Sequence, residues 1–234
     1  MKIEIWSDFV CPFCYIGKRR LELALNQASS DEKFDVIFKS FELDPHAAKS
    51  YDQGINELIA KKYGISVERA TASNQQIISQ AKALGLNYNF DDMKPTNTFD
   101  AHRVVQYAKT VGKDKELAER LFKAYFEESL LLSDANVLAK LAEEIGIEKS
   151  TVLNLLASND FESEVRNDED TAHSLNITGV PYFVFDGKYA VSGAQPPEVF
   201  LDVIAKVKSE MLQTEAGKEN QTSEGICVDG KCQI

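Results

Sequence analysis

The stretch "WSDFVCPFCYIG", residues 6–17, sets two cysteines two residues apart near the start of the chain. Its flanks read as two kinds of backbone. Before it, Ile3 and Ile5 alternate with Lys2 and Glu4, the period of a half-buried strand. After it, Cys14, Gly17, Leu21, Ala24, Leu25 and Ala28 fall at helical spacing along one face, with Lys18, Arg19, Glu22 and Asn26 opposite. Pro12 suits the first turn of that helix, where the missing N–H has no intrahelical partner to lose. A second strand pattern, "FDVIFKSFEL", follows at residues 34–43. Strand, helix and strand within the first 45 residues predict a βαβ unit with parallel strands.

Two cysteines so spaced hold a metal, staple the fold or exchange electrons. A zinc site takes about four ligands. Cys227 and Cys232 are four residues apart rather than two, and His46, His102 and His173 form no paired ligand spacing. A permanent staple gains little, because so short a ring removes little unfolded-state entropy. Dithiol exchange accounts for the placement physically. Cys11 falls at the helix start, where free backbone N–H groups and the helix dipole stabilise an anion and so favour the nucleophilic thiolate. Cys14 lies one turn in, on the apolar face and within reach of Cys11. The expectation is an exposed attacker, Cys11, and a shielded resolver, Cys14.

Composition narrows the function class. Of 234 residues, 44% are hydrophobic and 27% charged, a balance that gives one large domain or one domain with a substantial insertion. A formal net charge of −11 opposes nucleic acid and anionic lipid surfaces. No apolar run approaches the roughly 18 residues of a membrane span. "MKIEIWSD" lacks the basic and apolar stretches of a secretory signal, so the expected compartment is the cytoplasm. There, reducing conditions disfavour permanent disulfides.

Residues 52–175 carry helical periodicity with almost no strand signal. Four segments end in glycine, at Gly64, Gly85, Gly112 and Gly146, the sign of helix C-termini. "LNYNFDDMKPTNTFD" interrupts them as a loop. Strand signals return with "PYFVF" and "YAVSG" around Asp186-Gly187, a hairpin. An amphipathic helix follows, with Pro196 and Pro197 at its start. Residues 213–225 read by composition as a flexible linker, able to span about 20 Å. In "CVDGKC", Asp229-Gly230 predicts a hairpin turn that makes Cys227 and Cys232 a cross-strand pair. Their expected Cα separation is about 4.5 Å, short for a disulfide but compatible with one. The pair is either an auxiliary redox couple for Cys11 and Cys14 or a local clip.

"SDFVCPFCYIGK", "TGVPYFVF", "YAVSGAQ" and "NTFDAHR" together resemble the DsbA-like thioredoxin superfamily, in particular its cytoplasmic FrnE-like branch. The resemblance spans nearly the whole chain. It implies an α/β thioredoxin fold, βαβ…ββα, with a large helical domain inserted between its halves. The expected division is 1–45 and 176–212 for the thioredoxin-like part, a bridging helix at about 160–175, the insertion at 46–159 and a tail at 213–234. It implies thiol–disulfide oxidoreductase or isomerase activity on thiol- or disulfide-containing proteins, with no cofactor beyond the redox-active disulfide, no metal, and glutathione as a further thiol substrate. It also implies a cis Val180–Pro181 bond facing Cys11 and Cys14. Pro12, Phe13 and Val180 become candidate substrate contacts, since an extended peptide can pair with the backbone at Val180. Asp8 is a candidate proton relay to Cys14. His102 is a candidate for a cleft between the two parts, and Trp6 for the core. Lys18, Arg19 and Arg20 read as a solvated face. Two alternatives remain: a glutathione-dependent transferase or isomerase of small molecules, and a non-catalytic zinc-binding protein. Related isomerase and transferase branches carry serine where this chain has Cys11.

Overall fold

The computed structural model describes residues 1–28 and 33–222. The opening segment folds as its pattern dictates: β1 (Lys2–Ser7), α1 (Pro12–Gln27) and β2 (Asp35–Ser40). The two strands pair in parallel, Lys2 opposite Asp35 through Ser7 opposite Ser40. Six helices follow: α2 (Ile55–Tyr63), α3 (Val67–Lys82), α4 (Phe99–Thr110), α5 (Asp114–Phe126), α6 (Ala135–Glu144) and α7 (Lys149–Ala157). α8 (Glu162–Ser174) leads back to the sheet, where β3 (Tyr182–Phe185) and β4 (Tyr189–Ser192) form the expected hairpin. Asp186 and Gly187 both take positive φ, 47° and 68°, as a tight hairpin turn requires. The final helix is α9 (Pro197–Thr222).

The sheet order is β2-β1-β3-β4, with β3 antiparallel to β1 and to β4. This is the thioredoxin arrangement, and it buries β1 in the middle. Ile3 and Ile5 are accordingly inside, packed with Phe183, Phe185 and Phe200. Trp6 is in the core as expected, and its indole N–H donates to the carbonyl of Asp168 at 2.9 Å.

One carboxylate ties the sheet to the helices. Asp168, on α8, accepts from Lys39 at 2.6 Å, from the Ser40 amide at 3.0 Å and from Gln106 at 2.6 Å, with Lys109 at 3.5 Å. Burial pushes its carboxyl up, but Lys109, Lys39 and the Ser40 amide outweigh that and hold it below the usual carboxylate range.

Two expectations are corrected here. Residues 213–222 are not a flexible linker; they continue α9 to Thr222. Glu215, Ala216, Lys218 and Glu219 are good helix formers, and Gly217 costs only about 1 kcal/mol in a helix interior. The basic run after Cys14 is not a solvated face either. Lys18 is buried and bonded to Glu22 and Glu119, Arg19 pairs with the same two carboxylates, and Arg20 donates to the carbonyl of Ala194. Helix α5 packs over this flank of α1 and supplies Glu119. The tail cysteines, Cys227 and Cys232, lie outside the described residues.

Candidate active site

The two cysteines sit where β1 ends and α1 begins. A tight turn, with the Cys11 N–H bonded to the Asp8 carbonyl at 3.1 Å, reverses the chain and makes Cys11 the N-cap. Pro12 takes the first helical position, and no acidic side chain occupies the first turn. The Cys14 N–H bonds the Cys11 carbonyl at 3.0 Å, which brings the two residues within one turn of each other. Both thiols are free. The Cys11 Sγ lies 3.5 Å from the carbonyl oxygen of Val180, and the Val180–Pro181 bond is cis. The chain thus brings Cys11, Cys14, Val180 and Pro181 together from opposite ends of the sequence.

Cys11 is less open than its expected role suggests. It is 4% exposed and Cys14 2%. The reason is the loop that leads into β3: residues 180–181 lie directly over the Cys11 sulfur. Phe13, between the cysteines, is the residue that projects, at 40% exposure. A partner reaching Cys11 must therefore pass Phe13 and the Val180 backbone. Burial pushes the Cys14 thiol well above its ordinary value and the neighbouring Cys11 adds to this, while the Ser7 hydroxyl and the Asp8 amide pull it down. Cys14 is thus a thiol that holds its proton until a base removes it.

Below the dithiol helix lies an aromatic floor. Tyr15 stacks on Phe122 with centroids 5.0 Å apart, and Tyr88 stacks on Phe126 at 4.5 Å. The Tyr88 hydroxyl donates to the carbonyl of Pro12 at 2.8 Å, inside the C-P-F-C turn itself. Burial raises both tyrosines, and Glu119 adds to the rise at Tyr15, so each stays a neutral donor. Sequence reading missed Tyr88 because its segment is polar and irregular. The signal was Tyr88, Phe90 and Met93 within that loop, and all three are buried.

Asp8 and His102 do not sit as expected. The Asp8 backbone faces Cys14, but its carboxylate turns away: Oδ2 accepts from the Leu43 N–H at 2.7 Å, and Oδ1 stands 3.5 Å from the His102 Nε2. His102 lines no open cleft. It is 2% exposed, with Phe9 against its ring at 4.8 Å. The helix α4 that carries it packs under the β1–α1 turn, which closes the space a cleft would need. A groove of about 600 Å³ lies instead between α1, β2 and α5, floored by Leu21, Leu25, Val36 and Phe38, and neither cysteine lines it. Among the described residues, no cluster of histidine, cysteine and acidic side chains has the makings of a metal site. No described helix is long and apolar enough to cross a membrane.

Comparison with known proteins places this geometry. The chain is 30% identical over 205 residues to YwbO of Bacillus subtilis (strain 168), covering 87% of this chain and 95% of that one. Its fold matches the crystal structure of a probable DsbA oxidoreductase, SCO1869 of Streptomyces coelicolor, with a TM-score of 0.86 and 39% identity over 90% of this chain and 91% of that one. At 13% identity it shares the fold of the cytosolic disulfide reductase DsbM of Pseudomonas aeruginosa, solved also with GSH, with a TM-score of 0.63 over 89% of this chain and 99% of the DsbM chain. The model of the DSBA-like thioredoxin domain matches residues 2–205, and with a dithiol at the head of α1 facing a cis-proline loop, this chain belongs to that family of oxidoreductases.

Proposed function

We propose that the protein is a cytoplasmic thiol–disulfide oxidoreductase of the disulfide oxidase or isomerase type, of the FrnE-like branch, acting at Cys11-Pro12-Phe13-Cys14. The observation that carries this is the pair of free thiols in the first turn of α1, with the Cys11 sulfur 3.5 Å from the Val180 carbonyl. In the forward sense, the Cys11 thiolate attacks a substrate disulfide and forms a mixed disulfide, releasing one substrate thiolate. Cys14 then attacks the Cys11 sulfur, releases the second substrate thiolate and leaves the Cys11–Cys14 disulfide. The substrate is reduced and the enzyme oxidised; the reverse run oxidises a dithiol. Pro12, Phe13 and Val180 are the substrate contacts, with an extended segment of the partner protein lying along Val180. Residues 1–45 and 176–212 form the exchange frame and residues 46–159 its helical cover. The shared fold of DsbM, solved with GSH, supports glutathione as a second thiol substrate. Cys227 and Cys232 serve as an auxiliary couple, tested by turnover of the Cys227→Ser/Cys232→Ser variant under limiting reductant.

The decisive experiment pairs two variants on a protein disulfide substrate. Cys11→Ser abolishes exchange, whereas Cys14→Ser accumulates a mixed disulfide visible on a non-reducing gel. Full exchange in Cys11→Ser refutes the reading.

A further inference from the structure

We propose that the groove between α1, β2 and α5 is a binding site for an amphipathic acid, a single carboxylate on an apolar body of about ten carbons. The inference goes beyond the dithiol reading and does not rest on it, since neither cysteine lines the groove.

Size and lining set the class of ligand. At about 600 Å³ the groove falls within the roughly 300–1,000 Å³ of small-molecule sites. A protein interface engages about 20–30 residues a side, far more than line this groove. On its floor Leu21, Leu25, Val36 and Phe38 are joined by Ile5 and Ile145. Leu25 and Val36 are left only half-buried there. An apolar body laid against them removes from water a surface that the fold itself leaves uncovered.

Charge sets the head group. The rim carries both signs, but its carboxylates are all taken. Glu22 and Glu119 each bind Lys18 and Arg19, and Glu116 pairs with Lys113 at 3.2 Å. Lys115 and Lys123 also line the groove, and neither ammonium has an ion-pair or hydrogen-bond partner among the described residues. Between them, Arg120 is held by Glu144 at 2.6 Å and Glu128 at 2.8 Å, which leaves its Nη1 buried and unpartnered. A buried donor without an acceptor is costly, so this wall has an unmet demand for one. Uncommitted positive charge thus flanks an apolar floor, in a chain whose net charge is −11. A neutral apolar molecule leaves the cations unmet, and a small polar anion leaves the floor bare. An acid with both parts answers both. Its length follows from α5: an extended chain of about ten carbons matches the roughly 12 Å that eight helical residues span from Lys115 to Lys123. The lysine stems themselves prolong the apolar surface towards the head group.

Calorimetric titration of the full chain with decanoate tests the site. One decanoate binds per chain, with a Kd of about 1 mM or tighter, as suits a ligand of about a dozen non-hydrogen atoms. Decanol and butyrate each bind at least about tenfold more weakly, and added salt weakens decanoate. Lys115→Gln/Lys123→Gln loses about tenfold in affinity. Lys61→Gln/Lys62→Gln makes the same change in net charge on α2, away from the groove, and loses less than about twofold. Leu25→Trp fills the floor and abolishes saturable binding. The lysine variants alter only exposed side chains, so they decide the matter even where the tryptophan variant fails to fold. Absence of saturable binding to the wild type, equal affinity for decanol and decanoate, or equal losses in the two lysine pairs overturns the proposal. None of these results touches the dithiol reading, which exchange in Cys11→Ser tests separately.

Discussion

Gly17 is the point where the dithiol helix comes closest to the loop that faces it. A Cβ there would stand 3.0 Å from the Pro181 Cγ, 3.1 Å from the Phe183 Cζ and 3.4 Å from the Ala194 Cβ. In the middle of a helix, alanine in place of glycine is normally worth about 0.5–1 kcal/mol. Here that gain meets a contact that has to open by about 0.4 Å to reach ordinary van der Waals distance, roughly 3.4 Å or more between carbons. Phe183 cannot give, being fully buried and held edge-on by Phe200 at 4.9 Å. Overpacking of this kind costs about 1–3 kcal/mol. Gly17→Ala is therefore expected to destabilise by about 1–2 kcal/mol net, lowering Tm by roughly 2–8 °C for a chain of this size. The side that yields is Pro181, and with it Val180, whose carbonyl lies against the Cys11 sulfur. Exchange slows by roughly threefold to tenfold, since small misplacements at a reacting centre are amplified in rate. Urea unfolding and aryl-disulfide kinetics on the same preparation read both quantities. A variant more stable by about 1 kcal/mol with unchanged exchange would show that the contact between α1 and the proline loop is not the constraint described.

Two further outcomes follow from the polar contacts. Tyr88→Phe removes the donor to the Pro12 carbonyl and lowers stability by about 1 kcal/mol; because burial keeps Tyr88 neutral, urea titrations at neutral and mildly alkaline pH give the same deficit. Asp168 has a carboxyl held below its ordinary value, so the stability it lends is present above the unfolded value of about 3.9 and is lost as pH falls through the lower folded value. Asp168→Asn should be less stable at neutral pH and lose less on acidification than wild type; equal acid sensitivity of the two in thermal melts would refute this.

The βαβ start was legible because its periods are clean and its helix opens on Pro12. The hairpin was legible because Asp186-Gly187 permits only a narrow set of turns. The four glycine helix ends were legible for the same reason, and Gly64 does take positive φ at the end of α2. The site read only in part. Cysteine spacing and the Val180–Pro181 motif gave its chemistry, but its enclosure depends on partners far away in sequence. Tyr88 reaches Pro12 across 76 positions, and Lys18 reaches Glu119 across 101. No local pattern encodes such a pairing, so a buried lysine read as a solvated one. Asp8 was expected to serve Cys14 because it is near in sequence. Side-chain direction decided otherwise, since Leu43 and His102 occupy the other side of the same turn. The polar stretch after residue 213 was misjudged because composition reports solvation, while helix propensity depends on its glutamates, lysine and alanine.

The sheet order carries a consequence for how the protein is made. β1 leaves the ribosome long before the strand that covers its other edge, although it occupies an interior position in the sheet. Its partner β2 arrives soon, but β3, which covers its other edge, begins 175 residues after β1 ends (182 − 7). At a synthesis rate of roughly 5–20 residues per second, that edge stands open for about ten to thirty-five seconds. Throughout this interval the carbonyl that will cover the Cys11 sulfur does not yet exist. Until then the nascent chain displays an unpaired apolar strand beside an uncovered Cys11, and a strand edge of this kind is open to pairing with other chains.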